Sequence, residues 1–165
     1  MDVRIRPHAL EGAVTPPPSK SMAHRLMLAA ALADGVSTVR NVALSQDIEA
    51  TLRCMAALGA KWEQTDEGTL RVTGIGRKGK SFPELPRFDC GESGSTLRFL
   101  LPIALAVAGG GVFTGRGRLM ERPQKPYFDL FDEKDIFYEQ TAGALAVRGT
   151  LTPEEAAAFA AALDK

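Results

Sequence analysis

The chain has 165 residues, 45% of them apolar and 24% charged, which suits one globular domain and excludes an intrinsically disordered chain. Its 20 Lys and Arg balance 20 Asp and Glu, so no global basic field draws nucleic acid, and any anion site must come from local clusters. Cys54 and Cys90 are the only cysteines, spaced for neither a zinc site nor a redox pair. The N-terminus lacks the apolar core of a secretory signal. The longest apolar run, 99–108, contains Pro102 and is too short for a membrane span. The expectation is a soluble, cytoplasmic protein with no metal, no nucleic-acid partner and no membrane contact.

In chain order, residues 1–14 form an N-terminal strand segment. Pro16, Pro17 and Pro18 hold the chain extended, and Ser19 is placed to cap a helix over 22–33. Leu26, Met27, Ala30 and Ala31 lie on its apolar face, and Asp34-Gly35 ends it. Residues 37–42 read as a strand. Ser45 caps a second helix over 47–58, with Ile48, Leu52, Met55 and either Leu58 or Ala56 facing inward. Strands 61–64 and 70–73 form a hairpin about Asp66-Glu67-Gly68.

The same order recurs from residue 81. A strand at 88–90 leads into a Gly/Ser-rich loop at 91–95, then an apolar helix at 96–108 with an interruption or kink near Pro102. Gly109-Gly110-Gly111 closes that helix. A strand at 112–114, a helix at 127–134 and a hairpin of 137–140 with 145–148 complete the copy. Ser19-Lys20-Ser21 corresponds to Ser93-Gly94-Ser95, and Gly59-Ala60-Lys61-Trp62-Glu63-Gln64-Thr65 to Asp135-Ile136-Phe137-Tyr138-Glu139-Gln140-Thr141. The offset of about 75 residues exceeds solenoid periods. It predicts an α/β (α+β) fold of two β-α-β-α-β-β units, at 15–80 and 81–150, with their long helices buried. An alanine-rich helix capped by Thr152 follows at 151–165.

Three stretches carry candidate chemistry. Lys20, Ser21 and Arg25 open the first long helix, where free N–H groups and the helix dipole favour an anion. Ser21 and Arg25 share a face. Cys90-Gly91-Glu92-Ser93-Gly94-Ser95-Thr96-Leu97-Arg98 opens the second. Its glycines permit close backbone approach, yet it is neither a Walker loop nor a Rossmann fingerprint. Arg116, Arg118 and Arg122 lie in a Gly- and Pro-bounded segment able to clamp phosphate or carboxylate. Each stretch has a plainer reading as a capped helix, a turn or a solvated loop. Asp47 and Glu49 are placed for acid–base work or as helix-dipole partners, and Glu121 for an ordinary charge pair with Arg122. His24 reads as a surface or packing residue.

Taken together, Pro-Pro-Ser-Lys-Ser-x-x-x-Arg, Gly-x-Ser-Gly-Ser-Thr-x-Arg and Glu-Arg-Pro, in this order, resemble the N-terminal part of the 5-enolpyruvylshikimate-3-phosphate synthase family over about residues 1–150. The resemblance implies transfer of the enolpyruvyl group of phosphoenolpyruvate to the 5-hydroxyl of shikimate 3-phosphate, releasing phosphate, on the route to chorismate and the aromatic amino acids. It implies no metal or organic cofactor. It places Lys20 at both substrates and Ser21 and Arg25 on shikimate 3-phosphate. Gly94 would approach phosphoenolpyruvate, and Arg122 would bind its anionic groups. Ser95, Arg98 and Asp47 belong to the same cluster. A side chain at Gly94 would crowd the phosphoenolpyruvate site, which is also where the family's inhibitor glyphosate binds.

This chain departs from the family pattern at Glu92, where Asn is common, and at Asp135, where glycine is usual. The resemblance implies a third unit with a Ser-Ser-Gln segment and a second domain carrying a catalytic Asp and further cations. Instead the alanine-rich tail follows residue 150, with Ala157, Phe159, Ala160 and Leu163 near one face and able to cover surface a third unit would bury. Two other readings remain: a non-catalytic anion-binding or scaffold domain, and a relative of UDP-N-acetylglucosamine enolpyruvyl transferase. The second usually has Lys-Asn in place of Lys20-Ser21 and a reactive cysteine elsewhere than Cys90.

Overall fold

A computed structural model describes residues 3, 4, 9, 11–76 and 82–163, with side chains through residue 158. Two α/β units follow one another. The first comprises α1 (Lys20–Leu32), β1 (Val36–Val39), α2 (Gln46–Ala57), β2 (Lys61–Asp66) and β3 (Thr69–Thr73). The second comprises β4 (Arg87–Asp89), α3 (Gly94–Ala108), β5 (Gly110–Thr114), α4 (Lys125–Glu133), β6 (Phe137–Gln140) and β7 (Ala144–Arg148), and α5 (Pro153–Leu163) follows.

The sheets share a topology. The first has strand order β1-β3-β2 and the second β4-β5-β7-β6, so β1-β3-β2 matches β5-β7-β6. In both, the three matched strands are antiparallel. The second sheet adds β4, parallel to β5, because the connection through α3 is long enough for a crossover. The strand expected at the start of the first unit lies mostly outside the described residues, and 11–14 carry no strand.

The core centres on α3, whose Leu97, Leu100, Leu101 and Ala104 are fully buried. An interruption or a kink was expected near Pro102, and the helix runs through it without interruption. Proline removes the N–H that would bond the Arg98 carbonyl, and the Tyr127 hydroxyl donates to that carbonyl instead, at 3.2 Å. Gly110 and Gly111, expected to close α3, belong to β5. A Cβ on either would collide, with the Val147 carbonyl and the Phe88 ring respectively, so strand packing requires glycine there. On α2 the inward residue is Leu58, with Ala56 exposed.

Burial of α1 is one-sided. Ala23, His24, Met27, Leu28, Ala30 and Ala31 are buried, but Met22 and Leu26 are 53% and 44% exposed, so Leu26 does not share the core face assigned to it. The helix leans on α2 and the first sheet, and only the side turned to them is covered among the described residues. β1 is shorter than expected because Asn41 adopts φ +59°, and the Val42 N–H turns to the Gly68 carbonyl at 2.9 Å.

At α5, Thr152 Oγ1 accepts from the Glu155 N–H at 3.1 Å and Glu155 Oε2 accepts from the Thr152 N–H at 2.9 Å, a reciprocal cap. Those bonds, with Lys134 at 3.1 Å, hold the Glu155 carboxyl below the usual range. Ala156 packs on the core and α5 lies against α3. The expected contribution of Phe159, Ala160 and Leu163 falls outside the described side chains.

Asp135 sits at φ +53°, where the first unit has Gly59 at +100°. A left-handed backbone costs a non-glycine residue about 1–2 kcal/mol. Asp135→Gly relieves that strain but adds unfolded-state entropy of roughly 0.5–1 kcal/mol. Chemical denaturation is expected to show a net gain of up to about 1 kcal/mol with an unchanged m-value; a loss of stability would mean that the aspartate side chain compensates its own backbone.

Candidate functional site

The N-termini of α1, α2 and α3 gather at one end of the fold, each capped by a serine. Ser19, Ser45 and Ser93 accept from the N–H groups of Met22, Ile48 and Thr96 at 3.3, 3.4 and 3.2 Å. The caps satisfy one donor each; the remaining first-turn N–H groups and three aligned dipoles make this end electropositive.

The candidate residues lie on and around these ends. Lys20 Nζ meets Asp47 Oδ2 at 2.6 Å, joining α1 to α2, with the lysine side chain 57% exposed. Asp47 thus serves as a partner that holds the cation in place. Ser21 is exposed, and its carbonyl accepts from Arg25 Nη1 at 3.1 Å. The Arg25 guanidinium lies over the Phe99 ring at 5.1 Å, a cation–π contact that links α1 to α3. Arg25, Ser95 and Arg98 border one cleft of about 550 Å³, with Phe99, Pro102 and Ile103 beneath and Tyr127 and Ala156 beside it. Lys20, Ser21, Gly94 and Arg122 are not in its lining.

Gly94 and Arg122 meet directly. A Cβ on Gly94 would come within 2.8 Å of Arg122 Nη1, so a side chain there would push the flexible guanidinium away from the first turn of α3. The 3₁₀ turn at Leu119–Glu121 delivers Arg122 there. The other two arginines of that segment make exposed ion pairs with carboxylates. Arg116 pairs with Asp89 at 3.6 Å and Arg118 with Glu121 at 3.3 Å, so Glu121 partners Arg118 and not its neighbour Arg122. Asp89 also meets Arg53 at 3.6 Å. A second hollow of about 470 Å³, bordered by Asp47, Arg53, Asp89, Glu92 and Arg116, adjoins this ion-pair group.

Beneath the helix ends runs a buried polar chain that motif reading missed. His24 Nδ1 lies 2.8 Å from Thr51 Oγ1, Thr51 Oγ1 lies 2.8 Å from Thr96 Oγ1, and Thr96 Oγ1 lies 2.8 Å from Ser93 Oγ. His24 is buried, and desolvation lowers its pKa, with Asp47 opposing and Lys20 and Arg25 reinforcing the shift. The signal was present in the sequence: Thr51 shares the apolar stripe of Ile48, Leu52 and Met55, and His24 that of Met27, Leu28 and Ala31. A polar group on a buried face needs a partner.

Cys90 is fully buried. The neighbouring Cys54 thiol and burial push its own thiol far above the usual range, so it is no nucleophile at neutral pH. Among the described residues, no group of His, Cys, Asp and Glu is arranged to hold a metal ion, and no helix is long and apolar enough to cross a membrane.

The sequence model of EPSP synthase (3-phosphoshikimate 1-carboxyvinyltransferase) matches residues 5–157, reaching into α5. The 3-phosphoshikimate 1-carboxyvinyltransferase of Clostridium beijerinckii is 46% identical over 151 residues, which cover 89% of this chain and 34% of that protein. The enzyme of that name from Clostridium novyi is 41% identical over 164 residues, covering 93% and 37%. Among solved structures, EPSP synthase from Acinetobacter baumannii superposes with a TM-score of 0.72 at 26% identity, over 84% of this chain and 32% of that one. The chain therefore spans about a third of the length of the curated relatives it matches.

Proposed function

The chain belongs to the EPSP synthase (3-phosphoshikimate 1-carboxyvinyltransferase) family, and on that premise we propose that it carries one face of an enolpyruvyl transferase site. The reaction joins the 5-oxygen of shikimate 3-phosphate to the enolpyruvyl carbon of phosphoenolpyruvate. The 5-hydroxyl gives up its proton and the carbon–phosphate oxygen link breaks, releasing phosphate. Both substrates are polyanions that repel one another, so the protein's first task is to neutralise and align them.

In this reading Lys20 lies between the two substrates, oriented by Asp47. Ser21 and Arg25 hold shikimate 3-phosphate. Gly94 and Arg122 hold phosphoenolpyruvate, with Ser95 and Arg98 at the same helix end. The observation that carries the proposal is the Arg122 guanidinium against Gly94: a fork of donors beside helix N–H groups suits a carboxylate or phosphate. Protein chemistry of this kind requires no cofactor. The buried Cys90 and the Lys20-Ser21 pair weigh against the UDP-N-acetylglucosamine enolpyruvyl transferase reading. We also read the protein as soluble and cytoplasmic, in keeping with its family. The chain's share of its relatives' length favours binding without turnover, which keeps the anion-binding reading in play for these 165 residues.

Calorimetry with shikimate 3-phosphate tests the assignment. A hydrogen bond between charged groups contributes about 1.5–3 kcal/mol, so Arg25→Ala is expected to weaken binding by roughly tenfold to a hundredfold. Arg25→Lys should recover only part of that, because the planar fork is lost. Unchanged affinity in a folded Arg25→Ala protein would remove Arg25 from the site.

A further inference from the structure

The contacts among His24, Thr51, Thr96 and Ser93 run in series, and all four residues are no more than 2% exposed or otherwise fully buried. A hydroxyl has one proton, so once Thr96 gives its own to Ser93, each contact behind it is a hydrogen bond only when donated from the His24 side. Thr96 Oγ1 donates to Ser93 Oγ. Thr51 therefore donates to Thr96, and the imidazole Nδ1–H donates to Thr51. The alternative contacts of both threonine hydroxyls with the Asp47 carbonyl are longer, at 3.3 Å.

This direction has consequences at both ends. A buried imidazole with its pKa lowered is neutral, so with the proton on Nδ1 its Nε2 is a bare lone pair. Nε2 is buried with no partner, and an unused acceptor is less costly to bury than an orphaned N–H. At the far end Ser93 Oγ accepts both the Thr96 hydroxyl and the Thr96 N–H. Its lone pairs are engaged, and its own proton has no acceptor among the described residues. Only a donor remains, at the N-terminus of α3 next in sequence to Gly94, which Arg122 approaches, and it is polarised by the bonds behind it.

We propose that His24 and Thr51 are positioning residues of the anion site, acting through Thr96 on Ser93, whose O–H donates to an oxygen of the bound anion beside Gly94 and Arg122. The inference rests on the phosphoenolpyruvate contact proposed above. Ser93 is a binding residue in this scheme, and His24 touches no substrate. The imidazole serves as a fixed end that forbids the hydroxyl chain from reversing.

Nitrogen NMR of the labelled chain locates the imidazole proton, and titration with phosphoenolpyruvate measures binding. The proton is expected on Nδ1. Ser93→Gly keeps a tolerated cap but removes the hydroxyl, and should weaken phosphoenolpyruvate binding about tenfold. His24→Phe and Thr51→Val should do the same, while His24→Asn, which still offers an N–H, restores most of the loss. In the Ser93→Gly background His24→Phe should add little, because both act on one bond; a merely structural histidine would add its full effect. If His24→Phe does not fold, Thr51→Val carries the same comparison. A proton on Nε2, or additive losses, with wild-type binding intact, overturns this inference alone. Absence of phosphoenolpyruvate binding by the wild-type chain overturns the anion assignment and Ser93's role with it.

Discussion

Incubated with phosphoenolpyruvate and shikimate 3-phosphate, the 165-residue chain is expected to release no phosphate above background while still binding one of the two. The chain spans about a third of the length of its relatives, and its candidate cations all lie at one end of one α/β body. Holding two reactants in line is worth roughly 7–11 kcal/mol of barrier, which at about 1.4 kcal/mol per tenfold is a rate factor near 10⁵–10⁸. A single face holding substrate open to solvent forfeits most of that. Water excluded by closure around the reactants is a further loss. The addition also needs a base for the 5-hydroxyl proton and an acid–base group at the methylene carbon. Asp47, a carboxylate within the cluster, is occupied by Lys20 at 2.6 Å. Phosphate release and product mass report the outcome, and Lys20→Ala serves as the control for a contaminating enzyme. Robust turnover that Lys20→Ala abolishes would mean that these residues form a complete catalyst.

Local chemistry explains how much of this arrangement was readable beforehand. Ser19, Ser45 and Thr152 announced three helix starts because capping is written in one or two residues. The repeat exposed the shared order of elements, since Gly59–Thr65 and Asp135–Thr141 repeat a turn and a strand together. Asp135 could be marked as strained from the glycine it replaces. Long-range effects were harder to read. Pro102 looked like an interruption because the Tyr127 hydroxyl that takes over the Arg98 carbonyl lies 29 positions away. Gly110 and Gly111 looked like a helix stop because their need for space comes from Val147 and Phe88. In the site, the composition of the arginine segment could not say which guanidinium is left for a ligand. The ion pairs of Arg116 with Asp89 and of Arg118 with Glu121 set these two apart from Arg122, and they depend on residues brought together by the fold. Of the two readings of His24, surface or packing, burial selects packing; Thr51 stands at no fixed position of a motif, and its meaning too comes from burial.

Phe113→Ala is expected to destabilise the chain by about 3–5 kcal/mol, the range for truncating a buried aromatic, against a total of roughly 5–15 kcal/mol for a domain of this kind. Phe88 and Phe113 are fully buried, stack at 4.8 Å and face each other across the parallel pair of β4 and β5. That pair holds both loops of the site. β4 runs out into the segment that ends at Ser93 and Gly94, and β5 into the segment that turns back to Arg122. The Cys90 N–H to Thr114 carbonyl bond at 2.9 Å and the Arg116 N–H to Gly91 carbonyl bond at 2.7 Å tie the two exits together. Phe113→Leu fills more of the space and should cost less than the alanine variant. Denaturation of both variants checks the order. The loss of stability should be accompanied by weaker phosphoenolpyruvate binding in the folded fraction, because a slackened β4–β5 pair lets Gly94 and Arg122 drift apart. A folded Phe113→Ala protein with wild-type stability would show that the core closes around the missing ring, and that the stack does not set the spacing of the two loops.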